Sequence, residues 1–366
     1  MPKPYYRADH VGSLLRPSHL LEARTAYSTG AIPESRLWEL EDAAIRDALQ
    51  RQRDIGLAVL SDGEFRRASW LTDMAEAVEG FVTDRVVLDW KGPGGGSEQS
   101  TAKAVGARLR KHRNLSAYEL PLLQKEARGP FKITLPSPSN FIISSYKPGL
   151  TDRAYPARTD LLQDLSTIIR EEIEWLAAEG VEYIQLDAPY YSHYLDPQHR
   201  EQMLAGGRDP DLELAEGIAA DNSALSGIDR DRVTIAMHVC RGNSRSRWYT
   251  EGGYDLIAEK LFESLNVDRF LLEYDTDRCG TFEPLRRIPR GKQVVLGLIT
   301  TKEPRLESKD ELRRRIDEAG KCIPIEDLAI SPQCGFASVA AGNLLSADDQ
   351  WRKLDLVSDI ARKVWG

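Results

Sequence analysis

The stretch VTIAMHVCRGN, residues 233–243, decides how the chain is read. Val233 to Met237 is a short apolar run of the kind that makes a buried strand, and it closes on His238 and Cys240 before a polar turn. Side chains alternate faces along a strand, so His238 and Cys240 point one way while Met237 and Val239 point the other. Working outward, the same form recurs. Ala8 to Val11 runs into Gly12-Ser13, Leu57 to Leu60 into SDGEF, Phe131 to Leu135 into PSPS, and Tyr183 to Leu186 into DAP. Phe270 to Glu273 runs into EYD, Val294 to Leu298 into TTK, and Leu328 to Ile330 into SPQC. With the opening stretch these make eight strand candidates.

Helical patterns lie between them, at Pro33 to Ile55, Asp160 to Glu179, Asp211 to Ser226, Tyr254 to Ser264 and Lys309 to Glu318. A last helix, Ala347 to Val364, takes Ser346 as its N-cap. Strand-helix alternation implies a parallel sheet, and eight units in 366 residues predict an α/β fold of the closed (β/α)8 TIM-barrel type, with a doubly wound open sheet as the rival. One domain over residues 1–366 is expected, with an excursion at about 81–130 that holds the run Gly92 to Gly96 and a basic, helical stretch. In a barrel the C-terminal strand ends form one face, and that face carries the chemistry.

Composition narrows the partners. A net charge of −8 speaks against a nucleic-acid surface, the basic run Arg108 to Arg113 reading as a solvated helix face. No apolar run approaches the ~18–20 residues that cross a membrane, and the start MPKPYYRADHVGS lacks a secretory apolar stretch. Four cysteines, at 240, 279, 322 and 334, are too few for a disulfide scaffold in this length. Reduced thiols in a cytoplasmic protein are expected, which raises metal binding.

His238 and Cys240 can share one metal ion, and Glu273 and Cys334 end strands that converge on the same barrel face. Imidazole, carboxylate and thiolates favour Zn²⁺ over magnesium or calcium. Against this, H-x-C is often an ordinary strand end, a buried cysteine is often a small hydrophobe, and Cys279 rivals Cys334 as fourth ligand.

These motifs together resemble the catalytic domain of cobalamin-independent methionine synthase, in particular its short single-domain members. The likeness runs from RADHVGSLLRP through LSDGEFRR, YIQLDAP, HVCRGN and LLEYDTD to LAISPQCGF. It implies a methionine synthase/uroporphyrinogen decarboxylase-like barrel and a zinc site of His238, Cys240, Glu273 and Cys334, selecting Cys334 over Cys279. It further implies that Gly12, Ser13, Glu64 and Asp187 contact a thiol amino acid. The family's second acid is missing from Leu186-Asp187-Ala188-Pro189, and its catalytic histidine from Leu298 to Lys302. Both departures weaken a folate donor more than a thiol acceptor.

The expected activity is zinc-dependent methyl transfer to a thiol, homocysteine to methionine. The donor is a methyl-folate, a methylated corrinoid or a small S-methyl compound. His10 and Asp187 are candidate catalytic groups, and Arg16 and Tyr190 candidate substrate contacts, Arg16 for a carboxylate or sulfonate. An epoxyalkane:coenzyme M transferase-like alkylation, a non-catalytic zinc-binding protein and a decarboxylase are the alternatives. The sequence leaves the oligomeric state open.

Overall fold

The computed structural model describes residues 5–366; residues 1–4 of the expected 1–366 unit lie outside the described part. Two strands come first, β1 (Val78–Trp90) and β2 (Gly96–Lys111), paired antiparallel into a ribbon with a bulge between Glu79 and Phe81. Six short strands follow: β3 (Lys132–Pro136), β4 (Tyr183–Asp187), β5 (Thr234–Val239), β6 (Arg269–Glu273), β7 (Gln293–Ile299) and β8 (Leu328–Pro332). They pair in sequence order, all parallel, in one six-stranded sheet. The fold is thus α/β with a mostly parallel sheet, and five of the strands are buried along their whole length.

The helices between the strands have local causes. Asp209 caps Pro210–Ala224 by accepting from the Asp211 and Leu212 N–H groups, with Pro210 at the first helical position. Ser346 caps Ala347–Trp365 through a reciprocal box with Asp349. Among the described residues no helix is long and apolar enough to cross a membrane.

Both early strand candidates come out as single bridges rather than strands. Ala8 bridges Ile330, Leu60 bridges Phe131, and the Ala58 N–H donates to the Ala8 carbonyl at 3.0 Å. Side chains take the remaining main-chain groups that a ladder would use. Gln52 holds both the N–H and the carbonyl of Ser61, Asp9 takes the His10 N–H, and Gln185 donates to the Val11 carbonyl. The excursion also differs from expectation. Residues 108–111 of the basic run belong to β2, not to a helix. The helix-forming Arg, Leu and Lys residues there are overridden by antiparallel pairing with the start of β1, Val78 opposite Lys111 and Glu79 opposite Arg110.

The sheet buries two faces. One packs on the helices in the large core cluster. The other gathers Val11, Val59, Tyr183, Ala236, Leu271, Val295 and Ala329, with side chains from nearly every strand. Alternation from these residues places Gln185, Asp187, His238 and Glu273 on that same inner face. The fold thereby aims its polar strand-end residues into one shared space.

Candidate functional site

His238 lies at the end of β5 with Cys240 directly after it, and Cys334 follows β8. Their ligand atoms lie within 4.8 Å of one another, and all three residues are buried. The two sulfurs are 3.8 Å apart, far beyond the ~2.05 Å of a disulfide, and both cysteines are free. One tetrahedral ion at a metal–sulfur distance of about 2.3 Å spans two sulfurs about 3.8 Å apart. Neither ring nitrogen of His238 has a hydrogen-bond partner although both are buried. A buried imidazole left unpaired is costly, and an ion would satisfy it. These three residues therefore fit a metal of tetrahedral preference.

The thiols polarise each other. The hydrogen bond with Cys334 pushes the Cys240 thiol well up. The same bond, then His238 and Lys302, hold Cys334 well below the usual thiol range against the cost of burial. Burial disfavours the His238 imidazolium, but the neighbouring Cys334 and the Asp187 and Glu273 charges outweigh it and raise the group.

Glu273, the expected fourth ligand, ends β6 fully buried, and its ligand atoms group with Asp275 and Cys279 rather than with the first three residues. Its carboxylate accepts from Arg278 at 2.7 Å and from the Arg241 main-chain N–H at 2.8 Å. The cations Arg278, Lys302 and Arg241 overcome burial and hold its carboxyl down at about 2.

The loops after the two early strand segments carry the other expected residues. Gly12 has φ +149°, and a Cβ there would meet Glu64 Oε1 at 2.5 Å, so only glycine lets this carboxylate approach. Glu64 itself sits at φ +56°, its N–H held by Asp62 at 2.9 Å. Burial, against Arg67 and with Asp187, pushes its carboxyl up to about 8. Arg67 stands 4.0 Å from Glu64 but spends its forked contact on Glu119 at 2.6 and 2.8 Å. Asp187 pairs in register with His238 and accepts from Gln185 at 2.7 Å, its carboxyl raised by burial. Ser13 packs against Gly335, where a Cβ would meet its Oγ at 1.9 Å, which seats it beside Cys334.

Two expected residues have other surroundings. Arg16 donates to the carbonyls of Glu64 at 2.8 Å, Arg67 at 2.6 Å and Ala337 at 3.2 Å, tying three loop segments together. His10 faces away from the inner side that carries Asp9 and Val11, with both ring nitrogens buried and unpartnered. Burial, then Lys132, pushes it down to about 3, so its imidazole is neutral. Tyr190 stacks at a tilt with Trp70, Tyr249 and His193, ring centroids 5.2–6.0 Å apart. Tyr249 rests on Gly242, two residues beyond Cys240, where a Cβ would meet its ring at 2.2 Å.

Lys302, Asn243 and Arg278 escaped sequence reasoning. Lys302 donates to Asn243 at 3.0 Å and to the Gly242 carbonyl at 3.1 Å, and Asn243 donates to the Gly335 carbonyl at 2.7 Å. A lysine directly after the strand-end pair Thr300-Thr301 was the available signal.

A family model described as "Cobalamin-independent synthase, Catalytic domain" matches residues 8–347. The uncharacterized protein YxjH of Bacillus subtilis is 38% identical, the match covering 99% of this chain and 96% of that protein. The methionine synthase of Pyrococcus abyssi is 26% identical, covering 92% and 88%. The crystal structure of the putative vitamin-B12 independent methionine synthase from Listeria monocytogenes superposes with a TM-score of 0.76 at 27% identity, covering 99% and 98%.

Proposed function

The chain belongs to the cobalamin-independent synthase catalytic-domain family, and from that premise we propose that it methylates a thiol amino acid, homocysteine, at a zinc centre held by His238, Cys240 and Cys334, with Glu273 as an exchangeable fourth ligand. The observation that carries this reading is the convergence of one imidazole and two thiols within 4.8 Å, with both imidazole nitrogens otherwise unpaired. Zn²⁺ held there supplies the acidity that leaves a substrate thiol ionised at neutral pH.

The chain's own residues do the rest. Glu64 and Asp187 receive the substrate ammonium, two carboxyls each raised by burial. Gly12 keeps the Glu64 carboxylate in place, and Ser13 borders the site beside Cys334. Tyr190 and Tyr249 wall the side from which a donor approaches, presenting aromatic faces that exclude water. His10 is given no proton transfer, being neutral and turned from the inner face. A sulfonate-bearing thiol would need a free cation, and Arg16 spends its guanidinium on carbonyls, which favours the amino-acid thiol.

We further read the sheet as a closed (β/α)8 barrel, one unit with the ribbon as its excursion. The bond from the Ala58 N–H to the Ala8 carbonyl and the parallel bridges Ala8–Ile330 and Leu60–Phe131 support this by linking β8 back to β3. Four free cysteines support a cytoplasmic, reducing setting.

Zinc quantification joined to an assay of homocysteine against methyl-folate, methyl-corrinoid and S-methyl donors tests the proposal. Methionine formation with one donor and near-stoichiometric zinc is expected. Zinc content unchanged on replacing Cys240 and Cys334 by serine would reject the site, and zinc without methionine formation would reject the activity.

A further inference from the structure

Glu273 has a complete set of partners away from the His238–Cys240–Cys334 group. Its Oε1 accepts from Arg278 Nη2 at 2.7 Å and Nε at 3.1 Å. Its Oε2 accepts from the main-chain N–H of Arg241, the residue next to Cys240. Arg278 is itself fixed. It pairs with Asp275 at 2.7 Å, its guanidinium lies over the Trp248 ring at 4.6 Å, and its side chain is only 11% exposed. A planar guanidinium that is stacked and forked in this way loses little freedom on gripping a carboxylate. The group of Glu273, Asp275 and Cys279 could by residue type hold a second ion. Arg278 already supplies its positive charge.

We propose that Arg278 is a positioning residue that competes with the metal for Glu273. The carboxylate then has two homes, one on the ion and one on the guanidinium, both reached from an anchor one residue from Cys240. The inference rests on the zinc-thiol reading above and deepens it. Arg278 makes the fourth ligand easy to displace, so an incoming thiol finds a place on the metal without leaving a buried carboxylate unpaired, an outcome that would be costly.

The test compares wild type, Arg278→Met, Arg278→Lys and Glu273→Gln in the full chain. Zinc affinity is read by competition with a chromophoric chelator, and coordination number by the visible absorption of the cobalt(II)-substituted protein. Without thiol, Arg278→Met should bind zinc about tenfold more tightly than wild type, because the competing ion pair is gone. Arg278→Lys should fall between the two, since an ammonium competes without the fork. With thiol added, the Arg278→Met cobalt spectrum should respond only at about tenfold higher homocysteine. A salt bridge that merely braces the loop would weaken zinc or leave it unchanged. Zinc affinity no tighter than wild type in both Arg278 variants would overturn the inference while leaving the metal site standing. Should Arg278→Met fail to fold, the Arg278→Lys affinity decides alone. Unchanged affinity in Glu273→Gln would overturn the inference together with Glu273 as a ligand. The zinc arm needs no methyl donor, so failure of the methyl-transfer reading is seen separately.

Discussion

The same inner sheet face carries a buried polar cluster at each end, and the two are built on opposite terms. At the N-terminal strand ends, Lys132 donates to Asp9 at 2.9 Å and to Gln185 at 2.8 Å, and also to the His10 carbonyl. Tyr183 donates to Asp9 at 2.7 Å, and Arg269 stands 3.4 Å from it, laid against the Tyr6 and Tyr183 rings. Asp9 is surrounded by cations and donors, which hold its carboxyl below the ordinary range against the cost of burial. At the C-terminal ends, the imidazole of His238 has no hydrogen-bond partner and two free thiols stand 3.8 Å apart. The lower cluster surrounds one carboxylate with two cations and a hydroxyl and so ties the strand bottoms together; the upper one sets an imidazole beside two thiols, a donor set suited to zinc. Both are buried, so the chemistry of the donors is what separates scaffold from site.

The largest expected effect breaks the upper cluster. Replacing Cys240 and Cys334 by serine should reduce zinc to background in elemental analysis. Thiol methylation should fall on the order of 10³-fold, the several kcal/mol a Lewis acid contributes, with the far-ultraviolet circular dichroism unchanged. Breaking the lower cluster should do the reverse. Lys132→Met leaves Asp9 buried without its main cation and should cost about 3–5 kcal/mol in urea unfolding, while folded protein keeps its zinc.

Glu64 gives a smaller, pH-dependent effect. Its carboxyl is raised from 4.5 to about 8, so between those values the folded state holds more protons than the unfolded one. Its contribution is then full below about 4.5 and is lost as pH rises through about 8, at up to ~1.4 kcal/mol per pH unit. Asp62 and Asp73, each raised to about 7, act in the same direction. Urea midpoints measured from pH 5 to 9 should fall less steeply in Glu64→Gln. Because the ammonium needs the ionised carboxylate, homocysteine KM should rise as pH drops below about 8, and this trend should vanish in the variant. At the small end, Val87 on the ribbon is 65% exposed, and Val87→Lys should move stability by no more than about 0.5 kcal/mol.

Six strands were legible because each is an apolar run stopped by turn residues; Tyr183 to Leu186, for instance, became Tyr183–Asp187. The two early segments were legible as extended but not as bridged singly, since Gln52, Asp9 and Gln185 reach their main chain from distant positions. Residues 108–111 misled because side chains that favour a helix are outvoted by cross-strand pairing. In the site, alternation alone made His238 and Cys240 a pair. Cys334 needed the family resemblance. The grip of Arg278 on Glu273 could not be read at all, because it depends on the turn Asp277–Cys279 folding the chain back on its own strand end.

The contact between Gly12 and Glu64 has a bearing on descent. Any side chain at position 12 would collide with the Glu64 carboxylate, at 2.5 Å from its first carbon. The constraint runs one way: a side chain at 12 would displace the acid at 64, whereas a shorter residue at 64 leaves Gly12 undisturbed. Glycine at 12 is the permission for a long acid at 64.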